Sequence, residues 1–355
     1  MKLSALPFPL TLRRYTLLAL LCTPWLTNAA DFCSPSPDRN SPAATSLLRS
    51  VDAHLANNPD ALPHLHTEGT LLHRGIRDES EVAEKDLPLM RDAALAWRLN
   101  GDSRYLNQTS RYLAAWVNTY QPSYDPIDET HFESLIIAYS VTQHALAPDL
   151  RNATQTFLRQ MAQGYVKRII QAKQKPHPST IFMDNWQSHR IKLVTMIAFV
   201  LDDKPLQEQA KMLFKQQTGE NINADGSVFD FYERDALHYV VYDLEPLTMA
   251  ALAAARGGQH WSYLGHDRGG NLAQALDWLV SYADGRKTHQ EYQHSSVPFD
   301  AARREAGEHG FSGPWAAKSS QGLYWMASHL DSKYKPLAQQ LAHNPPAWLN
   351  VCWPE

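Results

Sequence analysis

Cysteine is scarce in this sequence, with only three among 355 residues. Cys22 lies in an N-terminal segment that resembles an export signal, so Cys33 and Cys352 remain at opposite ends of the mature chain. In an oxidising compartment such a pair favours a disulfide between the termini, although two unrelated thiols are an alternative. Neither cysteine has a neighbouring histidine, which argues against a cysteine nucleophile.

The sequence also lacks, after its N-terminal segment, any run of about twenty apolar residues, the length that a membrane-spanning helix needs. The segment itself begins with basic residues at Lys2, Arg13 and Arg14 and continues with an apolar stretch from Thr16 to Leu26. This pattern predicts a signal peptide over residues 1–30. We expect a monomeric protein that is periplasmic or secreted and has no membrane partner after cleavage.

Positive charge is not in excess. The formal net charge is −4, and loss of the three basic residues of the leader makes the mature chain three units more negative. This balance excludes a general polyanion binder and argues against nucleic acid. An acidic substrate would need a locally positive cleft on a negative molecule.

Several chemical motifs are absent. No Walker, Rossmann or nucleophile-elbow pattern occurs, which excludes nucleotide-dependent enzymes and serine hydrolases of those types. The segment His64–Thr70 holds two histidines and Glu68, but their spacing matches no zinc motif. We therefore predict neither a metal nor a cofactor, and we expect this loop to form one wall of the substrate groove.

Helical periodicity is abundant, and strand signals are few. Residues 31–355 contain no linker rich in glycine, serine or proline, which predicts a single domain. Consecutive antiparallel helix pairs suggest an all-α fold, an (α/α) toroid or incomplete barrel whose inner helices line a cleft. A simple bundle or solenoid is the alternative. The predicted helices are Leu87–Leu99, Tyr105–Tyr120, Glu133–Leu146, Asn152–Lys173, His189–Leu201, Lys204–Gln217, Leu237–Arg256, Asn271–Ala283 and Ser320–Ser328.

One segment, D-N-W-Q-S-H-R, concentrates polar chemistry at residues 184–190. Asn185 and His189 are four residues apart and share one face of a helix, with Trp186 and Arg190 on the adjacent stripe. Asp184 can cap that helix. An amide and a cation can hold a uronate carboxylate and stabilise the enolate-like charge that forms after loss of the neighbouring proton. A capped helix with a satisfied buried histidine is the alternative.

The second segment is E-R-D-A-L-H-Y-V-V-Y-D at residues 233–243. If a helix begins near Arg234, then Arg234, His238 and Tyr242 lie along one side at four-residue steps, and Tyr239 precedes Tyr242 by three. A cation beside a phenol lowers its pKa, as a tyrosine base requires, and the same phenol can return the proton. A tyrosine ladder between packed helices is the alternative.

Four stretches resemble the alginate lyase family, the poly-mannuronate lyases with an (α/α)-toroid fold. They are D-A-A-L-A-W-R-L-N-G-D-S-R-Y at 92–105, N-W-Q-S-H-R at 185–190, A-L-H-Y-x-x-Y at 236–242 and L-x-P-L-T-M-A-A at 244–251. The resemblance implies a polysaccharide lyase with an acidic polysaccharide as its partner. It also implies an Asn, a His, an Arg and a Tyr in the chemistry, and it places the Asn at Asn185 and the Tyr at Tyr242.

Two departures from the family pattern change this assignment. Well-known members carry His directly after the Asn, where this chain has Trp186, and His189 is our replacement candidate. They also carry Arg directly before A-L-H-Y, where this chain has Asp235, with Arg234 one position earlier. We expect a divergent branch, for which glucuronan or another β-linked polyuronate is an alternative to mannuronate-rich alginate.

The sequence therefore predicts β-elimination with Tyr242, His189, Asn185 and Arg234 as catalytic residues. Tyr242 would remove the C5 proton and protonate O4, or His189 would remove the proton and Tyr242 would only donate. A glycoside hydrolase would need paired carboxylates, for which no convincing pair is visible. A non-catalytic periplasmic polysaccharide-binding protein is the other alternative. The residues expected to contact substrate are Arg190, Trp186, His238 and Tyr239.

Overall fold

The computed structural model describes residues 1, 31–265 and 269–354. The signal peptide predicted over residues 1–30 lies almost wholly outside this part of the chain. Within it, pairing of β type is limited to three isolated bridges, and the all-α prediction is confirmed. The helices are α1 Pro42–Asp52, α2 Arg77–Ala83, α3 Asp86–Asn100, α4 Ser103–Thr119, α5 Phe132–Thr142, α6 Pro148–Lys173, α7 Asn185–Val200, α8 Lys204–Asn221, α9 Phe229–Arg234, α10 Leu237–Arg256, α11 Leu272–Ala283, α12 Pro298–Glu305, α13 Gln321–Ser328, α14 Lys335–Leu341 and α15 Ala347–Cys352.

Inner and outer helices alternate along the chain. The inner helices α3, α5, α7, α10 and α13 each pack on the next inner helix, and α4, α6, α8 and α11 lie outside them. The short connections, such as the two residues between α3 and α4, make sequential helices antiparallel. This arrangement is the (α/α) toroid that the helix pattern suggested.

Helix α7 is the most enclosed of the inner helices. Of its sixteen residues only Trp186 is not buried, and a helix covered on all sides belongs at the centre of a domain. Asp184 is its N-cap, and the carboxylate accepts a hydrogen bond from the backbone N–H of Trp186 at 2.9 Å, as predicted. The fold thus buries the first polar segment and leaves its N-terminal end facing a cleft.

The second polar segment is divided between two helices. Helix α9 ends at Arg234, Asp235 adopts a left-handed conformation with φ 49°, and α10 begins at Leu237. The prediction that Arg234, His238 and Tyr242 lie on one helix was therefore wrong. Aspartate tolerates the left-handed region better than most residues, and this break redirects the chain.

The two ends of the described chain are joined. Cys33 and Cys352 form a disulfide across a sequence separation of 319 residues, which confirms the predicted pairing. Helix α1 packs against both α15 and α3, so the C-terminal helix lies beside the first inner helix. No helix in the described ranges has the length and apolar character needed to cross a membrane.

Candidate active site

Both polar segments meet at a cleft of about 360 Å³. One wall is the loop of Thr67, Glu68 and Gly69, in the position expected for the His64–Thr70 segment. The other lining residues come mainly from α2, the ends of α5, α7 and α9, and from α10 and α12. They are Arg77, Glu81, Glu84, Ile127, Thr130, His131, Asn185, Trp186, Arg234, His238, Tyr239, Tyr242, Phe299, Arg303 and Phe311.

Asn185 occupies the first position of α7 and is fixed by Asp230 of α9. The carboxylate of Asp230 accepts hydrogen bonds from the backbone N–H of Asn185 at 3.0 Å and from its side-chain Nδ2. The Oδ1 atom of Asn185 is buried without a partner among the described residues. Because Nδ2 carries two protons, one N–H remains available beside the cleft.

Arg234 closes α9 and lies beside Tyr239. Its Nη1 pairs with Asp300 at 2.6 Å, and its guanidinium carbon is 3.8 Å from the centre of the Tyr239 ring. The predicted contact between this cation and the Tyr242 phenol is therefore replaced by a contact with Tyr239. Arg234 still lines the cleft, where its fixed charge can meet an acidic group.

Tyr242 lies at the boundary between the cleft and a second cavity of about 240 Å³. Burial and the neighbouring Tyr239 raise the pKa of its phenol, whereas Arg303 lowers it. The sequence predicts a lowered pKa for Tyr242, and the structure shows a raised one. The reason is burial of the phenol, which disfavours the phenolate more than the nearby cation favours it. Tyr242 is consequently a neutral phenol that can donate a proton.

His189 lies behind Tyr242 and lines the second cavity rather than the cleft. The two ring centres are 4.4 Å apart. Nδ1 of His189 is 2.7 Å from the Thr130 hydroxyl, and Nε2 is buried with no hydrogen-bond partner in the described part of the chain. Burial lowers the pKa of His189 well below its usual value, so the imidazole is neutral.

The hydrogen bonds around His189 indicate which nitrogen carries its proton. Lys192 Nζ donates to the carbonyl and hydroxyl oxygens of Thr130, each at 2.9 Å, and pairs with Glu133 at 2.5 Å. Lysine only donates, so the Thr130 hydroxyl accepts from Lys192, and it can donate its own proton to Nδ1 of His189. In that arrangement Nε2 carries the ring proton.

Pro246 leaves one backbone carbonyl of α10 without its helical hydrogen bond. As an imide it has no N–H, so the carbonyl of Tyr242, four residues earlier in α10, lacks its helical donor. This carbonyl is near enough to His189 to raise its pKa against the larger effect of burial. His189 thus braces α10 at Tyr242.

The predicted substrate contacts divide into two groups. Trp186, His238 and Tyr239 line the cleft, and the pKa of His238 is lowered to about 4 by burial and by Arg303 and Arg234. Arg190, one turn deeper in α7, does not reach it. Its Nη1 donates to the carbonyl of Ile181 at 2.5 Å, and the guanidinium lies over the Phe182 ring, so a contact with substrate is not supported.

His131, which the sequence patterns do not single out, precedes α5 and lines both the cleft and the second cavity. Its side chain is exposed and makes no hydrogen bond to the described residues. Burial of the ring within the concave surface lowers its pKa, and Lys192 and Arg91 contribute while Glu133 opposes them. An isolated His in D-E-T-H-F, 54 positions before Asn185, carries no local signal of this placement.

Arginines supply the positive charge of the cleft. Arg77 and Arg303 join Arg234 there, and both pair with the same carboxylate, Glu308, at 3.1 and 3.2 Å. Burial raises the pKa of Glu84 to about 8, so this cleft residue is neutral at pH 7. Among the described residues no cluster of His, Cys, Asp and Glu is arranged to hold a metal ion.

An (α/α) toroid with an arginine-lined cleft and a neutral tyrosine at its floor has the features of an enzyme that acts on acidic polysaccharides. The sequence model of one family, described as alginate lyase, matches residues 27–289. The chain therefore belongs to the alginate lyase family and is a polysaccharide lyase. No curated protein sequence matches it.

Solved structures with the same fold are also alginate lyases. An alginate lyase from Bacteroides ovatus has a TM-score of 0.64 at 14% identity, covering 88% of this chain and 92% of its own. The apo form of a histidine-to-alanine variant of alginate lyase A1-III has a TM-score of 0.59 at 16% identity, with 92% and 96% covered. Alginate lyase A1-III from Sphingomonas species A1 has a TM-score of 0.51 at 19% identity, with 73% and 79% covered.

Proposed function

We propose that this protein cleaves a β-1,4-linked uronate polymer, mannuronate-rich alginate, by β-elimination that leaves a 4,5-unsaturated uronate end. The observation that carries the proposal is the position of Tyr242. This neutral phenol lies at the junction of two cavities, beside a cleft lined by three arginines and Asn185. Variants of alginate lyase A1-III have been solved with a tetrasaccharide, which is consistent with an extended sugar site in this fold.

The carboxylate of the +1 sugar is held by Asn185 and Arg234. The remaining N–H of the Asn185 amide and the guanidinium of Arg234 both face the cleft, and each can donate to carboxylate oxygens. These donors stabilise the negative charge that spreads onto the carboxylate when C5 loses its proton. Trp186, Tyr239 and His238 then form the surface against which the sugar lies.

Tyr242 protonates the leaving oxygen. Because its phenol is neutral before substrate arrives, it is ready to give a proton to O4 as the C4–O4 bond breaks. His189 acts through Tyr242 as a positioning residue, since its ring packs on Tyr242 and the Tyr242 backbone is near enough to raise the pKa of His189. The alternative that His189 removes the C5 proton is disfavoured because both of its nitrogens are enclosed.

His131 is the base in this proposal. It is exposed, makes no hydrogen bond to the residues that the structure describes, and lines both cavities alongside Tyr242. His238 also lines the cleft, but with a pKa of about 4 it is a much weaker base. The proton moves from C5 to His131, C4 and C5 form the double bond, and O4 takes the proton of Tyr242. Solvent then returns the proton from the imidazolium to the phenolate.

The setting of this reaction follows from the sequence predictions. We propose a monomeric enzyme exported by the signal peptide at residues 1–30, with the Cys33–Cys352 disulfide stabilising it in an oxidising compartment. Glucuronan is the second candidate substrate, because Trp186 stands where well-known members of the family have His.

Ultraviolet absorbance near 235 nm tests the proposal directly, because only elimination creates the conjugated double bond. We expect a rise with poly-mannuronate that is larger than the rise with poly-guluronate or glucuronan. Tyr242→Phe should lower kcat at least 10²-fold, while binding of the polymer is retained. A larger rise in absorbance with glucuronan would show that glucuronan, and not alginate, is the substrate. If the folded protein binds the polymers but none gives a rise, it is a non-catalytic binding protein.

A further inference from the structure

The second cavity lies on the far side of Tyr242 from the arginine cleft. Its volume of about 240 Å³ falls below the roughly 300–1,000 Å³ of pockets that hold drug-sized ligands, which suits a single sugar ring. Tyr242, His131 and Thr130 line both spaces, so the second cavity adjoins the cleft at these residues. Residues of α13 and α15, beyond the region matched by the family, form its outer wall.

Polar groups without partners face this cavity. Glu245 of α10 makes no hydrogen bond to the described residues, and its Oε1 would lie 3.3 Å from a Cβ added at Gly322. The indole of Trp348, partly exposed, forms part of the wall, with the Arg91 guanidinium 4.2 Å from its ring centre. An aromatic face and a free carboxylate are the groups that bind a pyranose through its ring and its hydroxyls.

The described residues that line the cavity offer no free lysine or arginine. Lys192 is the one such residue among them, and all three of its protons are used by Thr130 and Glu133. Glu133 and Glu245 are both carboxylates, and the proximity of Glu133 helps to raise the pKa of Glu245. The cavity therefore supplies no group that favours a sugar carboxylate over a neutral hydroxymethyl group.

We infer that the second cavity is the −1 subsite and binds the sugar on the leaving-group side through its ring and hydroxyls, without reading a carboxylate there. The inference rests on the proposed elimination. The arginine cleft selects a uronate at +1, whereas Trp348 and Glu245 accept a neutral hexose or a uronate at −1. The enzyme should therefore cleave chains in which a neutral sugar precedes the uronate.

Partially carboxyl-reduced polymer provides the test. Poly-mannuronate, or whichever polymer the wild type cleaves best, is treated so that a fraction of its uronates become neutral hexoses. Each cleavage makes the −1 sugar a new reducing end, which mass spectrometry identifies after labelling. We expect neutral hexose at new reducing ends in about its proportion in the polymer. Uronate at nearly all new reducing ends would overturn the inference, whereas no unsaturated product from any untreated polymer would refute the elimination itself.

Variants of the wall give a second readout. Trp348→Ala should lower kcat/KM by about tenfold, while Trp348→Phe, which keeps an aromatic face, should lose much less. Trp97→Ala is the matched control, because this partly buried tryptophan of α3 lines neither cavity. Melting temperatures are compared for all three. Equal kcat/KM for Trp348→Ala and the wild type would remove Trp348 from the subsite.

Discussion

At the scale of single residues, burial and hydrogen bonding assign the roles. His131 and His189 both line the second cavity together with Tyr242, yet they differ in what surrounds them. The nitrogens of His189 are occupied by Thr130 or enclosed, whereas the ring of His131 is exposed and unpaired in the cleft. One holds the tyrosine in place, and the other is free to take a proton.

This difference predicts separable effects of the two alanine variants. His131→Ala should lower kcat by about 10²- to 10⁴-fold with an unchanged melting temperature, because an exposed base supports chemistry and not packing. His189→Ala should lower the melting temperature, because it leaves a hole beside Tyr242 and an unpaired Thr130 hydroxyl. Steady-state kinetics and thermal melts on the same preparations measure both.

The pH profile provides the control for His131. In the wild type, kcat should rise with pH through a pKa below the usual histidine value, since His131 must be neutral and its pKa is lowered by burial, Lys192 and Arg91 against Glu133. His131→Ala should lose that rise. Full activity in His131→Ala would show that His131 is not the base and would favour Tyr242 as the group that removes the C5 proton.

At the scale of elements, the N-terminus of α7 is surrounded by buried carboxylates. Asp184 caps the helix, Asp230 holds Asn185, and Asp243 of α10 accepts a hydrogen bond from Ser188 at 2.6 Å. Burial raises the pKa of all three, and that of Asp184 reaches about 8, with Asp230 and Glu233 adding to the shift and Arg190 opposing it. The site is built on groups that prefer to stay protonated.

The consequence is a loss of stability as the pH rises. Asp184 has a higher pKa folded than unfolded, so the native state binds the extra proton between about pH 4 and pH 8. Its stabilising contribution is complete below that window and is lost as the pH rises through it, with a slope of at most about 1.4 kcal/mol per pH unit. Urea denaturation at pH 5, 6, 7 and 8 measures the slope.

Asp184→Asn is the matched control, because asparagine caps a helix as well as aspartate but does not titrate. Its stability should fall less between pH 5 and pH 8 than that of the wild type. Parallel slopes for the two proteins would show that Asp184 is ionised in the fold throughout this range.

At the scale of the whole molecule, the disulfide joins the chain ends and fixes the last helix. Cys33 and Cys352 are 319 residues apart, and the loop-entropy model assigns a closure of this length on the order of 5 kcal/mol. Helix α15 carries both Cys352 and Trp348. Reduction should therefore destabilise the protein and also weaken the wall of the second cavity.

Replacing both cysteines by serine tests this coupling. The double variant should melt at a lower temperature than the wild type and show a lower kcat/KM, and a reducing agent should have no further effect on it. Reductant should bring the wild type to the same values. Unchanged melting of the reduced wild type would mean that packing of α1 on α15 and α3 suffices.

The sequence by itself predicted the helical architecture, the Cys33–Cys352 pairing and the family, because these depend on local periodicity, on the two cysteines that remain after the leader and on contiguous motifs. The long helices α3, α4, α6, α7, α8, α10 and α11 lie close to their predicted bounds. Among the helices of fewer than nine residues α13 was predicted, but α2, α9, α12 and α15 were not, because so short a segment shows little periodicity and its stability comes from tertiary packing.

Only the tertiary structure decided which side chains share the site. His131 and Arg77 come from distant parts of the chain, and no spacing rule links them to Asn185 or Tyr242. Arg190 does not line the cleft, because its guanidinium donates to the carbonyl of Ile181 and packs over the ring of Phe182. The pKa of Tyr242 went up rather than down because burial depends on every helix around it, whereas the sequence reveals only the neighbouring cation.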